Sequence, residues 1–209
     1  MPDTAPSYEL DLVVGSPITV RPEEDRETYE QERAWLEEVQ DALREEGVEV
    51  DLLAQPGTEV WEGGIERFVD LYQLRRLAAH LERGEDISEM AAQEIGDEEE
   101  IDPLLADIWE GAEETRYPHL INHQGDGGYY LPVDFSEPIW LGLEEEDDEA
   151  GDLENVVSFG SSVALLRELS ELVDALRAKK VGRGPMQALE ALREGAQQSV
   201  NYGLPLILW

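Results

Sequence analysis

The feature that most constrains this chain is its excess of acidic side chains. Fifty aspartates and glutamates stand against 15 lysines and arginines, which gives a formal net charge of -35 at pH 7. These charges repel one another in the compact state, over a Debye length that falls from about 30 Å at 0.01 M salt to about 3 Å at 1 M. We therefore expect the chain to fold best in concentrated salt.

The basic residues support the same interpretation. Only two of them, Lys179 and Lys180, are lysines, and the other basic residues are arginines. A lysine side chain exposes apolar methylene groups, and strong salt makes apolar exposure more costly. A surface that replaces lysine by acids is typical of halophilic adaptation, so we interpret the chain as a protein of a salt-adapted organism.

The remaining composition excludes several classes of protein. Apolar residues make up 41% of the 209 residues, enough to form a core in a chain that buries roughly 70% of its unfolded surface. Cysteine is absent, which excludes disulfides, thiol catalysis and cysteine zinc sites. The first residues do not resemble a signal peptide, and no apolar run approaches the roughly 20 residues of a membrane helix. We expect a soluble, cytoplasmic protein.

Hydrophobic periodicity predicts strands and helices that are interspersed along the chain. Alternation of apolar and acidic residues predicts strands over 8–14 and 48–52, and helical spacing predicts a helix over 22–46 between them. These three elements are typical of a right-handed crossover unit with parallel strands. Further helices are predicted to begin near residues 65, 87, 102, 161 and 184.

The second half of the chain completes the predicted fold. Residues 117–135 are predicted to form a β-hairpin, because their centre is rich in glycine, which tolerates positive φ. A strand is predicted over 156–159, and charge blocks predict mobile acidic loops near 96–101 and 144–152. The sequence therefore predicts one α+β domain over residues 1–209, with a mixed sheet flanked by several helices.

Two of the three histidines lie four residues apart, at His119 and His123. Residues at this spacing share a face on either a helix or a strand. Together with Asp126 or Asp134, the imidazoles form a candidate two-histidine, one-carboxylate metal site. This arrangement is the basis of one alternative function, a metal-dependent hydrolase.

Other observations weaken this metal site. The chain has no HExxH motif, and a strand separates residues i and i+4 by about 13 Å, too far for one ion. In the competing interpretation, His119 and His123 are polar hairpin residues bonded to the backbone or to carboxylates. We therefore assign no cofactor and no catalytic residue.

The same predicted hairpin offers a candidate recognition surface. If Tyr129 faces the core, Tyr130 and Asp134 face outward, beside His119 and His123. An exposed patch of tyrosine, histidine and aspartate is suited to protein recognition. The alternative is that Tyr130 is covered by the acidic loop that follows.

The chain ends in an apolar run over 204–209 that closes on Trp209. Such a run is too apolar to stay exposed in salt, so it docks either into its own core or into a second subunit. The leading interpretation is a non-catalytic module that binds an unknown protein partner or forms a homo-oligomer.

A third interpretation is an acidic nucleic-acid mimic, which occupies the DNA-binding groove of another protein. It accounts for the net charge but gives no reason to avoid lysine, and the acids are spread over every segment. A mimic should place acids at the spacing of phosphates on one face. Direct binding of nucleic acid or of an anionic membrane is not expected, because the sequence shows no basic face.

Overall fold

The structure is a computed structural model that describes residues 7–93, 95–96, 100–125, 127–142 and 156–209. The described part forms a six-stranded mixed sheet with seven helices, which confirms the predicted single α+β domain. The charge blocks predicted to be loops lie mostly outside the described residues. Within the described ranges, no helix combines the length and the apolar character that crossing a membrane requires.

The bounds of the elements agree with most of the predicted helices. In chain order they are β1 (Leu10–Gly15), α1 (Arg26–Glu45), β2 (Glu59–Ile65), α2 (Phe68–Glu82), α3 (Ser88–Ala92), α4 (Pro103–Trp109), α5 (Pro118–Ile121), β3 (Gly128–Leu131), β4 (Ile139–Gly142), β5 (Val156–Ser161), α6 (Ser162–Ala178), α7 (Arg183–Tyr202) and β6 (Leu206–Leu208).

The sheet has the strand order β2-β1-β6-β3-β5-β4, and only the β3–β5 pair among these neighbours is parallel. The predicted crossover unit is wrong, because residues 48–52 form no strand and β2 pairs antiparallel with β1. Val48 and Leu52 instead pack in a cluster with α1, and the Gln40 side chain accepts a hydrogen bond from the Leu52 N–H. The apolar alternation that suggested a strand instead belongs to side chains that pack against a helix.

The C-terminal run lies in the middle of the sheet. Strand β6 is buried and pairs with β1 on one side and β3 on the other. This confirms that the apolar run docks into its own core. Because β6 joins the two halves of the sheet, the N-terminal strand depends on residues at the opposite end of the sequence.

Helices cover the two faces of the sheet unequally. Helices α2, α6 and α7 pack on the face that carries Leu12, Leu206 and Tyr130. Helix α1 packs on the opposite face, over the apolar side chains of β3, β5 and β4. The register places Val13 of β1 on this second face as well, but α1 does not extend over β1 and β2.

Local chemistry explains where α1 begins. The Asp25 carboxylate accepts hydrogen bonds from the N–H groups of Glu27 and Thr28, so it serves as the N-cap. Such caps contribute about 1 kcal/mol. The Thr28 hydroxyl and N–H hold the pKa of Asp25 below its ordinary value. Three residues on one side, Leu36, Val39 and Leu43, are buried.

The predicted hairpin over 117–135 is also wrong. The segment begins with the short helix α5, for which Pro118 supplies the first turn, and continues into β3. Strand β3 pairs with β5 and β6, so the glycine-rich stretch before it does not connect two antiparallel strands. A tertiary contact to α6, described below, stabilises the helical turn.

Candidate functional site

His119 lies on α5 and is fully buried. Its Nδ1 atom accepts a hydrogen bond from the Ser161 N–H at 3.0 Å, so Nε2 carries the proton and donates to the Phe135 carbonyl at 2.9 Å. Burial lowers the pKa of this imidazole to about 4. One ring nitrogen therefore holds α5 against β5, and the other holds it against the segment between β3 and β4.

His123 follows α5 and is buried to the same degree. Its Nδ1 donates to the Gln124 carbonyl at 2.7 Å, and its Nε2 lies 3.2 Å from the Ser158 hydroxyl. The ring stacks on Tyr130 with 3.9 Å between centroids, and burial lowers the pKa of His123 to about 3. The neutral imidazole is therefore a buried, hydrogen-bonded part of the core.

These contacts oppose the predicted metal site. The histidines use their ring nitrogens for backbone and hydroxyl groups, as the competing interpretation of polar structural residues expects. Asp126 lies outside the described residues, and the Asp134 carboxylate pairs with Arg167 at 2.8 Å. Among the described residues, no group of three histidine, aspartate or glutamate side chains could hold a metal ion.

The predicted recognition patch is not assembled. Tyr130 is 1% exposed, because it faces the helices while its neighbour Tyr129 faces α1, where it lies against Trp35. The prediction that Tyr130 faces outward is therefore wrong. Its hydroxyl donates to the His119 carbonyl, so this tyrosine also fixes α5. Burial raises the pKa of the Tyr130 hydroxyl.

Two of the predicted binding residues do reach the surface. Asp134 is exposed and pairs with Arg167 of α6. Trp209 is exposed over 54% of its area, although its backbone pairs with Asp11 of β1. They belong to different regions of the chain. Asp134 lines a cleft together with His119, with which it was grouped, but its carboxylate pairs with Arg167.

Two buried ionisable residues were not predicted from the sequence. Glu168 of α6 accepts hydrogen bonds from the His119 and Leu120 N–H groups at 3.1 and 2.9 Å, and burial raises its pKa to about 8. Arg75 of α2 donates to the carbonyls of Leu120 and His123. One sequence signal could have identified Glu168. It is an ionisable residue on the apolar stripe of a helix, one turn away from two buried leucines.

The exposed side of α1 carries a stripe of carboxylates. At 3.6 residues per turn, six of its acids fall within an arc of about 100°, opposite the buried leucines and valine. The stripe rises about 27 Å along the helix axis, at 1.5 Å per residue. It consists of Glu27, Glu30, Glu37, Glu38, Asp41 and Glu45, all exposed.

Arginines neutralise only one edge of this stripe. Arg26 pairs with Glu30 at 2.7 Å and Arg33 with Glu37 at 2.9 Å, and Arg44 pairs with Asp41. The other three acids, Glu27, Glu38 and Glu45, form no ion pair with any described residue. Exposed pairs of this kind are worth well under 1 kcal/mol, so the arginines remain available to exchange partners.

Acids in and beside β1 and β2 lie on the same side of the sheet as α1. Val13 on this face is buried, but three acids there are exposed: Glu9, Asp11 and Glu62. We call these three residues and the stripe the acidic face.

Charge is distributed unequally between the two sides of the molecule. Residues 23–51, which contain α1, hold 13 acids and three arginines. Eleven of the 15 basic residues of the chain lie from residue 67 onward, in or beside the elements of the helical side. Several of them pair with acids there, as Arg177 does with Glu190. From residue 67 onward 31 acids stand against these 11 bases, so negative charge is less compensated in residues 23–51, with 13 acids and three arginines, than in that longer segment.

Comparison with known proteins identifies a family. The chain matches no curated protein and no solved structure. A family model described as "Putative DNA-mimic protein" matches residues 8–208, nearly the whole length of the chain. The chain belongs to this family of putative DNA-mimic proteins.

Proposed function

We propose that the chain is a non-catalytic DNA mimic, which occupies the DNA-binding surface of a DNA-binding protein through its acidic face. The observation that carries this proposal is the stripe of six exposed carboxylates on α1, in a chain whose family is described as a DNA mimic. A basic groove that binds phosphates also attracts carboxylates, because the same charge-assisted hydrogen bonds form.

The spacing of the stripe supports this proposal. Each strand of duplex DNA carries one phosphate per about 3.4 Å of helix axis. Six carboxylates over about 27 Å give a mean axial spacing of about 5 Å, so the stripe resembles one incompletely charged strand. The acids of β1 and β2 add charge on the same side of the sheet.

The partner predicted from the sequence must be corrected. An unspecified protein partner or a homo-oligomer was expected, and the family match overturns that expectation in favour of a DNA-binding protein. The number of acids in each segment does not show which side of the fold those acids occupy. Acids that are spread along the chain can still be concentrated on one side of the fold, as α1 illustrates.

Retention of DNA-binding proteins tests the proposal. Proteins that a double-stranded DNA column retains from the source cell are passed over the immobilised chain. They are also passed over a variant with Glu27→Gln, Glu38→Gln and Glu45→Gln. We expect the unchanged chain to retain a subset and the variant to release that subset at lower salt, with the slope of log K against log salt reduced by up to about 3.

A matched control separates the acidic face from net charge. The variant Glu89→Gln, Asp174→Asn and Glu194→Gln removes the same number of charges from exposed positions on the helical side. It should retain the proteins like the unchanged chain. Equal losses in the two variants would mean that total charge, rather than the acidic face, determines retention, and would contradict the proposal.

We also propose that the chain works in concentrated salt, inside the compartment that holds its partner. The scarcity of lysine and the net charge of -35 support salt adaptation. The cytoplasm, expected from the sequence, is that compartment in a cell without a nucleus. Screening weakens a contact between acids and bases, so binding in strong salt needs contacts other than charge.

A further inference from the structure

Three exposed aromatic side chains line one cleft at the edge of the sheet. Phe68 begins α2, Trp109 ends α4 and Trp140 lies on β4, and their exposed fractions are 39, 41 and 49%. The cleft has a volume of about 560 Å³. Large apolar side chains with this much exposure are rarely gathered in one place on a protein that acts alone.

Hydrogen bonds hold one wall of the cleft in place. The Trp109 indole N–H donates to the Ile121 carbonyl at 2.9 Å, and its ring packs against Tyr72. The Tyr72 hydroxyl accepts from the Asp102 N–H at 2.7 Å. The ring faces that remain exposed are therefore already positioned, and a ligand would not have to order them.

The wall of the cleft also contains an acceptor without a donor. The side-chain oxygen of Asn122 is buried and has no hydrogen-bond partner among the described residues. A buried carbonyl oxygen that has lost water favours any ligand that supplies an N–H group. The cleft therefore suits a group that combines a flat apolar face with hydrogen-bond donors.

Two acids adjoin residues that line the cleft. Glu9 of the acidic face accepts a hydrogen bond from the Phe68 N–H, and Glu110 lies between Trp109 and Gly111 in the chain. Arg75 also lines the cleft, but it is 5% exposed and donates to two backbone carbonyls.

We infer that this cleft binds an arginine side chain of the DNA-binding partner, an inference that rests on the proposed function. A guanidinium group stacks on aromatic rings, and its N–H groups complement the unpartnered Asn122 oxygen and the carboxylates of Glu9 and Glu110 beside the cleft. Proteins that read DNA present arginines at their binding surfaces. Because the Glu9 carboxylate accepts a hydrogen bond from the Phe68 N–H, the cleft adjoins the acidic face and adds contacts that salt screens less.

A small probe tests the occupant without the partner. The full chain is titrated in dilute salt with N-acetyl-Gly-Arg-Gly-amide, while the indole N–H signals of its five tryptophans are followed by NMR. We expect saturable shifts at Trp109 and Trp140 and none at Trp209. The citrulline peptide, which is neutral and has nearly the same shape, should bind about tenfold more weakly or not at all.

Variants identify which contacts matter. Asn122→Leu and Trp140→Ala should each weaken binding of the arginine peptide by about tenfold, while Trp209→Ala, an exposed aromatic outside the cleft, should leave it unchanged. Preserved signals elsewhere in the spectrum show that each variant is folded. Equal binding of the arginine and citrulline peptides, tighter binding of a leucine peptide, or the absence of saturable shifts would each overturn the inference.

The test distinguishes the cleft from the proposed function. Binding of the arginine peptide, together with failure of the chain to retain any DNA-binding protein, would overturn the proposed function and keep the arginine site. If Trp140→Ala retained the DNA-binding proteins as well as the unchanged chain does, the role of the cleft in binding the partner would be overturned. The proposed role of the acidic face would stand.

Discussion

Glu168 holds the short helix α5 from inside the core. Its carboxyl group accepts hydrogen bonds from two N–H groups of α5, while Ser161 and Tyr130 bind His119 of the same helix from the sheet. Removing one partner of such a network leaves a buried donor unsatisfied. His119 and Tyr130, two of the residues that the sequence suggested as a binding site, therefore stabilise the fold.

Glu168→Gln should destabilise the protein by about 1–3 kcal/mol near pH 7. The amide offers one acceptor oxygen where the carboxyl group offers two, so either the His119 or the Leu120 N–H loses its partner. Chemical denaturation followed by circular dichroism measures the change. Glu171→Gln, an exposed acid on the same helix, is the matched control and should cost less than 0.5 kcal/mol.

The pH dependence of stability should carry the signature of Glu168. Its pKa is raised to about 8 in the folded protein, from an ordinary value of 4.5, so the folded state binds a proton more tightly than the unfolded state. This contribution is complete below pH 4.5 and is lost as the pH rises through 8, with a slope of at most about 1.4 kcal/mol per pH unit.

Comparison of the unchanged protein with Glu168→Gln isolates this contribution, since the other ionisable groups are common to both. The difference in unfolding free energy should shrink as the pH rises from 5 to 8. A difference that stays constant over this range would mean that Glu168 titrates at its ordinary pKa.

At the scale of elements, α1 connects the fold to the proposed function. Its buried side covers half of one sheet face, and its exposed side carries the stripe. One gap interrupts the stripe at Ala34, which is exposed and lies on the same arc between Glu30 and Glu37. This position lets charge be added without disturbing a buried contact.

Filling the gap should strengthen binding to the partner. Ala34→Glu completes the stripe, and Ala34→Lys places an opposing charge in it, while glutamate and lysine both favour helix. We expect the first to raise and the second to lower the salt concentration at which DNA-binding proteins leave the immobilised chain. Ala178→Lys, at an exposed position of α6, should have little effect. Identical behaviour of the two Ala34 variants would contradict a binding role for the stripe.

Elements with strong periodicity could be predicted from the sequence, and those fixed by tertiary contacts could not. Helices α1, α2 and α6 begin and end within a few residues of their predicted bounds. Residues 48–52 alternate like a strand because their apolar members pack beside α1. The turn at α5 is helical because Glu168 binds it from a distant element, which no local pattern reveals.

The candidate site was harder to predict than the fold. The acids of α1 were visible, but only the fold shows which of them share a solvent-exposed side with Glu9, Asp11 and Glu62. The aromatic cleft brings together Phe68, Trp109 and Trp140 from separate parts of the chain. Spacing in the sequence cannot show that these three side chains lie together. The prediction that Tyr130 faces outward assumed a hairpin that does not form.

At the scale of the whole molecule, the net charge of -35 acts on stability and on binding in opposite directions. Salt screens repulsion among the acids, which stabilises the folded state, and it also screens attraction to a basic partner. A protein that works in strong salt therefore benefits from a binding surface that combines carboxylates with an aromatic cleft.

Thermal unfolding at KCl concentrations from about 0.1 to 3 M tests the salt interpretation. The midpoint should rise with salt, most steeply at the lower concentrations, where the Debye length changes most in absolute terms. The variant Glu27→Gln, Glu38→Gln and Glu45→Gln should have a higher unfolding midpoint at low salt. Its midpoint should rise less than that of the unchanged chain as salt is added. A midpoint that does not rise with salt would contradict salt adaptation.

The central claim is that the acidic face takes the place of DNA. The most direct measurement uses a retained DNA-binding protein together with a fluorescently labelled duplex, and follows the anisotropy of the duplex as the chain is added. We predict that the chain displaces the duplex completely from the DNA-binding protein and that no ternary complex forms. The apparent affinity of that protein for the duplex should fall in proportion to the chain concentration. Displacement that stops at a plateau, or a stable complex of duplex, partner and chain, would contradict the claim.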